Sequence, residues 1–395
     1  RHPEAGRRPA RQRADPAVVN SDQRATPMAT VSEHRRLTNP KTEAAEHIPA
    51  QALNERLCEV ARAFASKPFV PHPLFRGPHA QTIVSSKHFP RKRVLHQERA
   101  LYESRLFEVE PGSRVLLKCR WQPERRTSPT LLLLHGLEGS TDSIYVLGTA
   151  QKAFARGFNV VGMNMRNCGG TEHLAATLYH SGLTEDIRRV ILGELAGREA
   201  LTEIYLSGYS MSGNMVLRVA ADYGADFPAV LKGVAAVSPS IDLDSCAAAM
   251  ERRGNAVYRW NFVSDLCSRV RRKERLSPGK YDTSRLRRVR TIREFDEHIT
   301  APYGGFRDAD DYYARASSRA VLKEIRVPTL IIHAADDPLI PVEPFLDRAI
   351  ADNPDVLLVL TRRGGHVGFL SDRMEGEDRH WAENRLVEFF TRLRE

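Results

Sequence analysis

The sequence lacks any apolar run long enough to cross a membrane. Its longest runs, LLLL at 131–134 and VLLVL at 356–360, have the length of strands, whereas a membrane-spanning helix needs roughly 18 or more apolar residues. The amino-terminal region has no apolar signal core and is rich in Arg, Ala and Pro instead. We therefore expect no transmembrane helix and no secretion, with the cytoplasm as the compartment.

Paired cysteines are also missing. The five cysteines are odd in number, widely spaced and form no C-x-x-C pair, at Cys58, Cys119, Cys168, Cys246 and Cys267. This pattern argues against a disulfide framework and against a zinc site. We expect reduced thiols, most of them buried.

Positive charge is in excess, but it is unevenly distributed. The formal net charge is +10, and residues 269–293 alone carry 11 basic and 2 acidic residues. Residues 1–40 add 8 arginines against 4 acidic residues, which leaves the rest of the chain close to neutral. The basic tract at 269–293 has no interleaved aromatic platform and matches no recognition motif, so no nucleic-acid partner is expected.

The chain divides into a polar tail and a patterned body. Residues 1–50 lack sustained periodicity and have the composition of a disordered, basic tail. Residues 51–395 read as one α/β domain, because short runs that are apolar on both faces alternate with helical patterns from residue 113 onward. This predicts a mostly parallel sheet covered by helices on both faces. The strand-like runs are 113–121, 129–136, 158–166, 201–208, 231–238, 327–334 and 355–362.

The alternation stops between the runs at 231–238 and 327–334. About 85 residues there show no strand signal, and we interpret residues 243–325, called the insertion below, as a helical lid. Apolar residues at 257, 260, 263, 266, 267 and 270 have the spacing of one helical face. This face is expected to cover the substrate.

The stretch GYSMSGNM at 208–215 lies between a strand-like run and a helical pattern. It resembles the nucleophile-elbow signature G-x-S-x-G, in which the tight turn requires small residues two places before and after the serine. Ser210 meets this requirement with Gly208 and Ser212, whereas Ser212 would have Asn214 as a neighbour. Ser210 is therefore the expected nucleophile, and an ordinary helix-capping serine is the alternative.

Two further strand-like runs are followed by candidate partners for this serine. The sequence HAADDPLIP offers Asp337 as the acid that orients a histidine, with Asp336 as the alternative, and RRGGHVGF offers His366 as the base. The order Ser, Asp, His is that of α/β-hydrolases. His135 and His333 are expected to be structural, with His333 a satisfied core residue.

An ester-cleaving site also needs donors for the developing oxyanion. The turn HGLEGS follows an early strand-like run, and its glycines let backbone N–H groups face a substrate. The expected donors are the backbone N–H groups of Leu137 and Met211.

With these residues in place, the chain resembles the YheT-type branch of the α/β-hydrolase superfamily, bacterial relatives of the ABHD-type esterases and phospholipases. The resemblance implies an eight-stranded α/β-hydrolase fold and a serine hydrolase acting on carboxylic esters, including acyl lipids, with no cofactor and no metal. Ser212 departs from the family's glycine, and Tyr179 and His180 lie in a family block that indicates either pocket lining or a structural role. The blocks that carry the resemblance are RGPHAQTI, HGLEGS, RNCGG, LYHSGLTEDI, GYSMSGNM, DEHITAPYGGFRDADDYY, HAADDPLIP and RGGHVGF.

The sequence thus predicts a cytoplasmic serine carboxylesterase acting on a small-molecule or lipid ester. An acyltransferase or ester synthase could use the same triad, and a catalytically silent binding protein could keep the same fold. The basic face of the insertion predicts either a weak peripheral contact with anionic membranes or a merely solvated helix face.

Overall fold

The computed structural model describes residues 51–87 and 89–395, and the disordered tail predicted for residues 1–50 lies outside the described residues. The strands are β1 (Glu103–Glu110), β2 (Ser113–Arg120), β3 (Thr130–Leu134), β4 (Asn159–Met163), β5 (Ile204–Tyr209), β6 (Leu231–Val237), β7 (Thr329–Ala334) and β8 (Val356–Thr361). The α-helices are α1 (Glu55–Ala65), α2 (Pro78–Lys87), α3 (Phe89–Gln97), α4 (Ile144–Ala155), α5 (Thr184–Arg189), α6 (Met211–Tyr223), α7 (Leu243–Glu251), α8 (Ala256–Leu276), α9 (Ile292–Phe295), α10 (Ala301–Gly304), α11 (Ala309–Ala316), α12 (Arg348–Ala351) and α13 (Trp381–Arg392). Short 3₁₀ segments lie at Glu98–Leu101, Gly224–Asp226, Arg253–Asn255, Thr283–Arg287, Arg319–Glu324 and Glu343–Leu346, and π-helical segments at Val190–Arg198 and Asp296–Thr300.

The eight strands form one sheet in the order β1-β2-β4-β3-β5-β6-β7-β8. The strands from β4 to β8 in this order are parallel, while β1 and β2 pair antiparallel at one edge. The predicted mostly parallel, eight-stranded sheet is confirmed, and its seven apolar runs are β2 to β8. The sequence patterns missed β1, because this edge strand alternates exposed residues with partly buried ones rather than being apolar on both faces.

Both faces of the sheet are buried beneath helices. Successive residues of β3 point to opposite faces, so that Leu131 and Leu133 enter one core while Leu132 and Leu134 enter the other. Helices α1, α4 and α13 contribute to the first core, and α5 and α6 contribute to the second. This two-sided covering is the predicted one.

Four strands of the parallel part end at the same edge of the sheet, where the predicted site residues lie. The turn after β3 carries Leu137, that after β5 carries Ser210, and those after β7 and β8 carry Asp337 and His366. In an open α/β sheet this carboxyl edge is where ligands bind. The fold therefore brings together at one edge residues that are far apart in the chain.

The insertion leaves the sheet after β6 and returns at β7, and its described residues are helical, with α7 to α11 and short 3₁₀ and π segments. It has small cores of its own, one around Val270 and Phe295 and another around Tyr312 and Ala316. Its assignment as a lid stays a prediction.

The inward face of α8 differs from the expected one. Val257 and Trp260 are each 70% exposed, whereas Leu266, Cys267 and Val270 are buried as expected. Over the first turns it is Tyr258 and Phe262 that turn inward. The inward face of α8 continues through the buried cations Arg269 and Lys273 at the same helical spacing. A pattern of apolar residues alone could therefore not identify this face.

Among the residues that the structure describes, no helix combines the length and the apolar character that a bilayer crossing requires. All five cysteine thiols are free and buried, as expected.

Candidate active site

Ser210 lies on a strained turn between β5 and α6. Its backbone has φ 55° and ψ −118°, a left-handed region that typically costs about 1–3 kcal/mol for a residue other than glycine. The crowding predicted for this elbow is present, because a Cβ added to Gly208 would lie 2.3 Å from the carbonyl oxygen of Ser212. The turn is held from the neighbouring strand, since the N–H of Ser210 donates to the carbonyl of Val237 at 3.0 Å.

Ser212 is buried behind the elbow, and its hydroxyl is directed to the backbone. Its Oγ accepts from the N–H of Tyr209 at 3.0 Å and donates to the carbonyl of Leu134 at 3.0 Å, with the carbonyl of Tyr209 also at 3.1 Å. The structure therefore separates the two serines of the motif. Ser210 lines the cavities described below, and Ser212 connects the ends of β3 and β5.

The structure brings Ser210, His366 and Asp337 into one hydrogen-bonded chain. The Nε2 atom of His366 lies 2.9 Å from Ser210 Oγ, and its Nδ1 atom lies 2.8 Å from Asp337 Oδ2. The N–H groups of Leu339 and Ile340 both donate to Asp337 Oδ1. Burial alone would raise the pKa of Asp337, but the charge and hydrogen bond of His366 outweigh it and keep this pKa below its ordinary value.

Asp336, the alternative acid, has another contact. Its Oδ1 accepts the N–H of Gly365 at 2.9 Å. Burial raises the pKa of Asp336. Asp336 therefore contacts the backbone of the histidine loop and Asp337 contacts the imidazole ring.

Helix α2 holds the loop that carries His366, a feature that the sequence patterns did not predict. The side chain of Gln81 donates to the carbonyl of Leu370 at 3.0 Å and accepts the N–H of the same residue at 2.7 Å. Thr82 Oγ1 accepts the N–H of His366 at 2.9 Å. Both residues belong to RGPHAQTI, one of the blocks that carry the family resemblance, but the block itself does not indicate what these residues do.

The two predicted oxyanion donors are free to bind a substrate. The N–H groups of Leu137 and Met211 have no hydrogen-bond partner within residues 51–87 and 89–395, and both residues line the same cavity as Ser210. The loop of residues 135–139, called the oxyanion loop below, approaches the serine closely, since a Cβ on Gly136 would lie 3.1 Å from Ser210 Cβ. Whether these groups bind an oxyanion stays a prediction.

The two histidines expected to be structural, His135 and His333, lie in the core. His135 is fully buried, with Nδ1 on the carbonyl of Gly136 at 2.8 Å and Nε2 accepting the N–H of Met165 at 3.1 Å. His333 is also buried, and burial lowers its pKa to about 4. His333 lies in the core as expected, and its ring stacks on that of Phe345 with the ring centroids 3.9 Å apart.

Two cavities meet at Ser210. The first lies between the sheet edge and the insertion and holds about 830 Å³ of empty space, which includes space open to solvent. The apolar part of its lining is formed by Leu243, Ala247, Met250, Phe262, Leu266 and Leu339. Its lining also includes Tyr179 and His180, together with the buried carboxyl of Asp296. Burial raises the pKa of Asp296 to about 6, although the hydroxyls of Thr300 and Tyr313 donate to it.

The second cavity also borders Ser210, is lined by residues of α2 and α8, and holds about 830 Å³ of empty space, which again includes space open to solvent. It shares Leu137, Ser210, Phe262, Leu339 and His366 with the first cavity. The rest of its lining is more polar, with the hydroxyls of Thr82, Ser85, Ser86, Tyr145 and Tyr258 and the ion pair Arg91–Glu383. Ser210 thus lies where a mostly apolar cavity meets a second cavity whose lining is somewhat more polar.

The basic tract does not form one continuous cationic surface. Arg269 and Lys273 point inward, where Lys273 Nζ donates to the carbonyl of Glu172 at 2.7 Å. Arg272 is paired with Glu172 at 2.8 Å. The exposed arginines of the tract include Arg271, Arg275, Arg287, Arg288 and Arg290.

Comparisons with known proteins show which chains this one is similar to. A family model for the alpha/beta hydrolase fold matches residues 129–372. YheT of Escherichia coli (strain K12), which carries the name of an esterase, is 34% identical over 337 residues, covering 83% of this chain and 94% of YheT. Phospholipase ABHD3 of Mus musculus is 29% identical over 276 residues, covering 68% of this chain and 66% of ABHD3. The solved structure of the Pyrococcus furiosus esterase Pf2001 is 18% identical with a TM-score of 0.48, covering 75% of this chain and 94% of that one.

Proposed function

The chain belongs to the α/β-hydrolase family, in its YheT-like branch, and from this premise we propose that it hydrolyses carboxylic esters through Ser210, His366 and Asp337. The observation that carries the proposal is the unbroken hydrogen-bond chain from Ser210 Oγ through both ring nitrogens of His366 to Asp337. A helix-capping serine would need neither the histidine nor the strained backbone.

Each of these three hydrogen-bonded residues has a role in the proposed reaction. Ser210 Oγ attacks the ester carbonyl while His366 Nε2 takes the serine proton, and Asp337 stabilises the imidazolium that forms. The negative charge on the carbonyl oxygen is bound by the N–H groups of Leu137 and Met211. His366 then protonates the leaving alcohol, and a water, activated by the same nitrogen, releases the acid from the acyl-enzyme.

The two cavities support an orientation for the substrate. The apolar wall of the first cavity fits an acyl chain, because burying its methylene groups is favourable by about 0.8 kcal/mol each. The lining of the second cavity has the larger polar share, which fits a more polar alcohol portion. We therefore assign the acyl chain of an ester, including an acyl lipid, to the first cavity and the alcohol to the second.

The second cavity also favours an alternative reaction, acyl transfer to an alcohol. A compartment that holds the leaving alcohol can hold an incoming one, which would attack the acyl-enzyme in place of water. Assays in mixed water and alcohol separate the two reactions by the ratio of ester to acid formed. If the ratio of ester to acid formed is several-fold higher than the molar ratio of alcohol to water in the assay, the result supports acyl transfer.

The exposed arginines of the basic tract support a weak peripheral contact with anionic lipid surfaces. Such a contact is electrostatic, so its strength must fall with ionic strength. Cosedimentation with phosphatidylserine vesicles at low and high salt tests it. Binding that does not change with salt contradicts an electrostatic contact.

Hydrolysis of p-nitrophenyl esters from acetate to palmitate tests the proposed function. We expect turnover by the wild type, release of the free acid, and no turnover above background by Ser210→Ala. A wild type that hydrolyses none of the series contradicts the esterase proposal.

A further inference from the structure

The oxyanion loop contains a second strained residue, immediately after Leu137. Glu138 has φ 56°, in the left-handed region that is unfavourable for a residue with a side chain. Such a conformation persists only when the surroundings impose it. The position of the Leu137 N–H group therefore depends on what holds Glu138.

Two buried side chains hold Glu138. The hydroxyl of Tyr179 accepts the backbone N–H of Glu138 at 3.0 Å and donates to its carboxylate oxygen Oε1 at 2.7 Å. The guanidinium of Arg269 donates from Nε to Oε1 at 2.8 Å and from Nη2 to Oε2 at 2.7 Å. The side chains of Arg269 and Glu138 are each only 7% exposed, so this bidentate pair is shielded from water and its geometry is fixed.

Arg269 comes from the insertion, on the helix that also lines the substrate cavity. Phe262, Leu266 and Arg269 follow one another on α8 at intervals of four and three residues, which places them on one face. The first two line the first cavity, and the third reaches the oxyanion loop. Arg269 also donates to the carbonyl of Asn167, and this third hydrogen bond further fixes the position of its guanidinium.

Resting on the proposed function, we propose that Glu138, Tyr179 and Arg269 form a clamp that positions the Leu137 N–H group and couples the seating of helix α8 to the oxyanion hole. The three are positioning residues, because none of the described contacts links them to Ser210 or His366. When α8 is seated, Arg269 holds the carboxylate of Glu138 while Tyr179 holds its backbone. When α8 is displaced, the strained loop loses one of its two anchors.

The clamp acts on the transition state more than on the substrate. The donor at Leu137 matters most when the carbonyl oxygen becomes charged, so a misplaced loop lowers kcat while leaving KM little changed. A role confined to stability would lower the amount of folded enzyme without changing kcat per active site. Active-site titration and kinetics on the same samples distinguish these roles.

Tyr179→Phe is the first variant to measure. It removes only the hydroxyl that contacts the backbone and carboxylate of Glu138 and leaves the Arg269–Glu138 pair intact. We expect kcat per active site to fall roughly 10- to 100-fold, with KM changed less than about 3-fold. We also expect faster hydrogen–deuterium exchange of the amides of residues 135–139.

A second variant avoids leaving a buried charge without a partner. Glu138→Gln combined with Arg269→Gln removes both charges together and should give the same loss of kcat and the same increase in exchange. The matched control is Arg271→Gln, which removes an exposed arginine of the same helix that has no contact with the clamp and should behave as the wild type.

The exchange measurement needs no substrate, so it tests the clamp separately from the enzyme activity. Wild-type exchange rates at 135–139 in both Tyr179→Phe and the double variant overturn the clamp, whatever the enzyme hydrolyses. Altered exchange with an unchanged kcat in an active enzyme overturns the coupling to the oxyanion hole. A wild type without esterase activity overturns the proposed function instead.

Discussion

The turns at the carboxyl edge of the sheet and the insertion above them are built on different principles. The turns carry strained backbone, at Ser210 and again at Glu138, and are fixed by buried hydrogen bonds to neighbouring strands and to α2. The insertion consists of helices whose inward side chains pack around small cores of their own. Displacing an atom of the turns would change the distances between the groups that are proposed to react. Displacing a side chain of the insertion would change the shape of a cavity.

From this difference we expect the turns to govern the rate of the proposed reaction and the insertion to govern its selectivity. Reactive groups must be placed within a fraction of an ångström, and strained turns with many hydrogen bonds provide that precision. An acyl chain is recognised by the volume and apolar character of its cavity, which helices can vary. The proposed clamp through Arg269 is the exception, since it gives the insertion an influence on rate.

The largest effect should follow from removing the nucleophile. Ser210→Ala is expected to lower kcat by about 10⁴-fold or more, because the residues of such a triad act as one unit. For the same reason, adding His366→Ala should cause little further loss. Steady-state hydrolysis of a p-nitrophenyl ester measures both variants. Losses that multiply in the double variant contradict a concerted triad.

The two neighbouring acids provide the next comparison. Asp337→Asn should lower kcat by roughly 10⁴-fold, since an amide would favour the wrong tautomer of His366. Asp336→Asn is the matched control and should cost less than about 10-fold, because Asp336 contacts only the backbone of the histidine loop. Equal losses in the two variants contradict the assignment of Asp337.

A substitution in the insertion should change selectivity and leave the chemistry intact. Leu266→Phe narrows the first cavity, so kcat/KM for a dodecanoate ester is expected to fall roughly 10-fold relative to a butyrate ester. Trp260→Ala, on the exposed side of the same helix, should leave the ratio unchanged. If the ratio of kcat/KM for the dodecanoate ester to that for the butyrate ester is the same in the wild type, Leu266→Phe and Trp260→Ala, the placement of the acyl chain in the first cavity is contradicted.

Ser212 should give the smallest effect on rate. Ser212→Gly restores the residue usual at this place in the family but removes a hydroxyl that serves the buried backbone of Tyr209 and Leu134. We expect the free energy of unfolding to fall by about 1–3 kcal/mol and kcat to change only a few-fold. Urea unfolding and steady-state kinetics measure the two quantities. An unchanged free energy of unfolding would show that Ser212 only fills the place of glycine.

The same two regions differ in how far sequence predicts them. The triad candidates follow strands that are apolar on both faces, so local patterns sufficed to propose Ser210 and His366 for one site. The contact between Glu138 and Arg269 joins residues 131 positions apart, and a single sequence carries no signal for such a pair. Arg269 instead looked like part of a basic surface.

The helical part of the insertion was predicted as an amphipathic pattern, but its orientation was not. The apolar spacing placed Val257 and Trp260 on the inner face, whereas the structure exposes them and turns Phe262 inward. Which face of a helix is buried depends on its neighbours, and periodicity alone does not give their positions. Edge strand β1 was missed for a similar reason, because one of its faces is largely exposed to solvent.

Covalent labelling with a fluorophosphonate, followed by mass spectrometry of the peptides, tests whether Ser210 is the nucleophile. We expect the wild type and Ser212→Ala to be labelled at Ser210 and Ser210→Ala to stay unlabelled. A wild type that remains unlabelled, or one whose adduct lies on Ser212, would contradict this assignment.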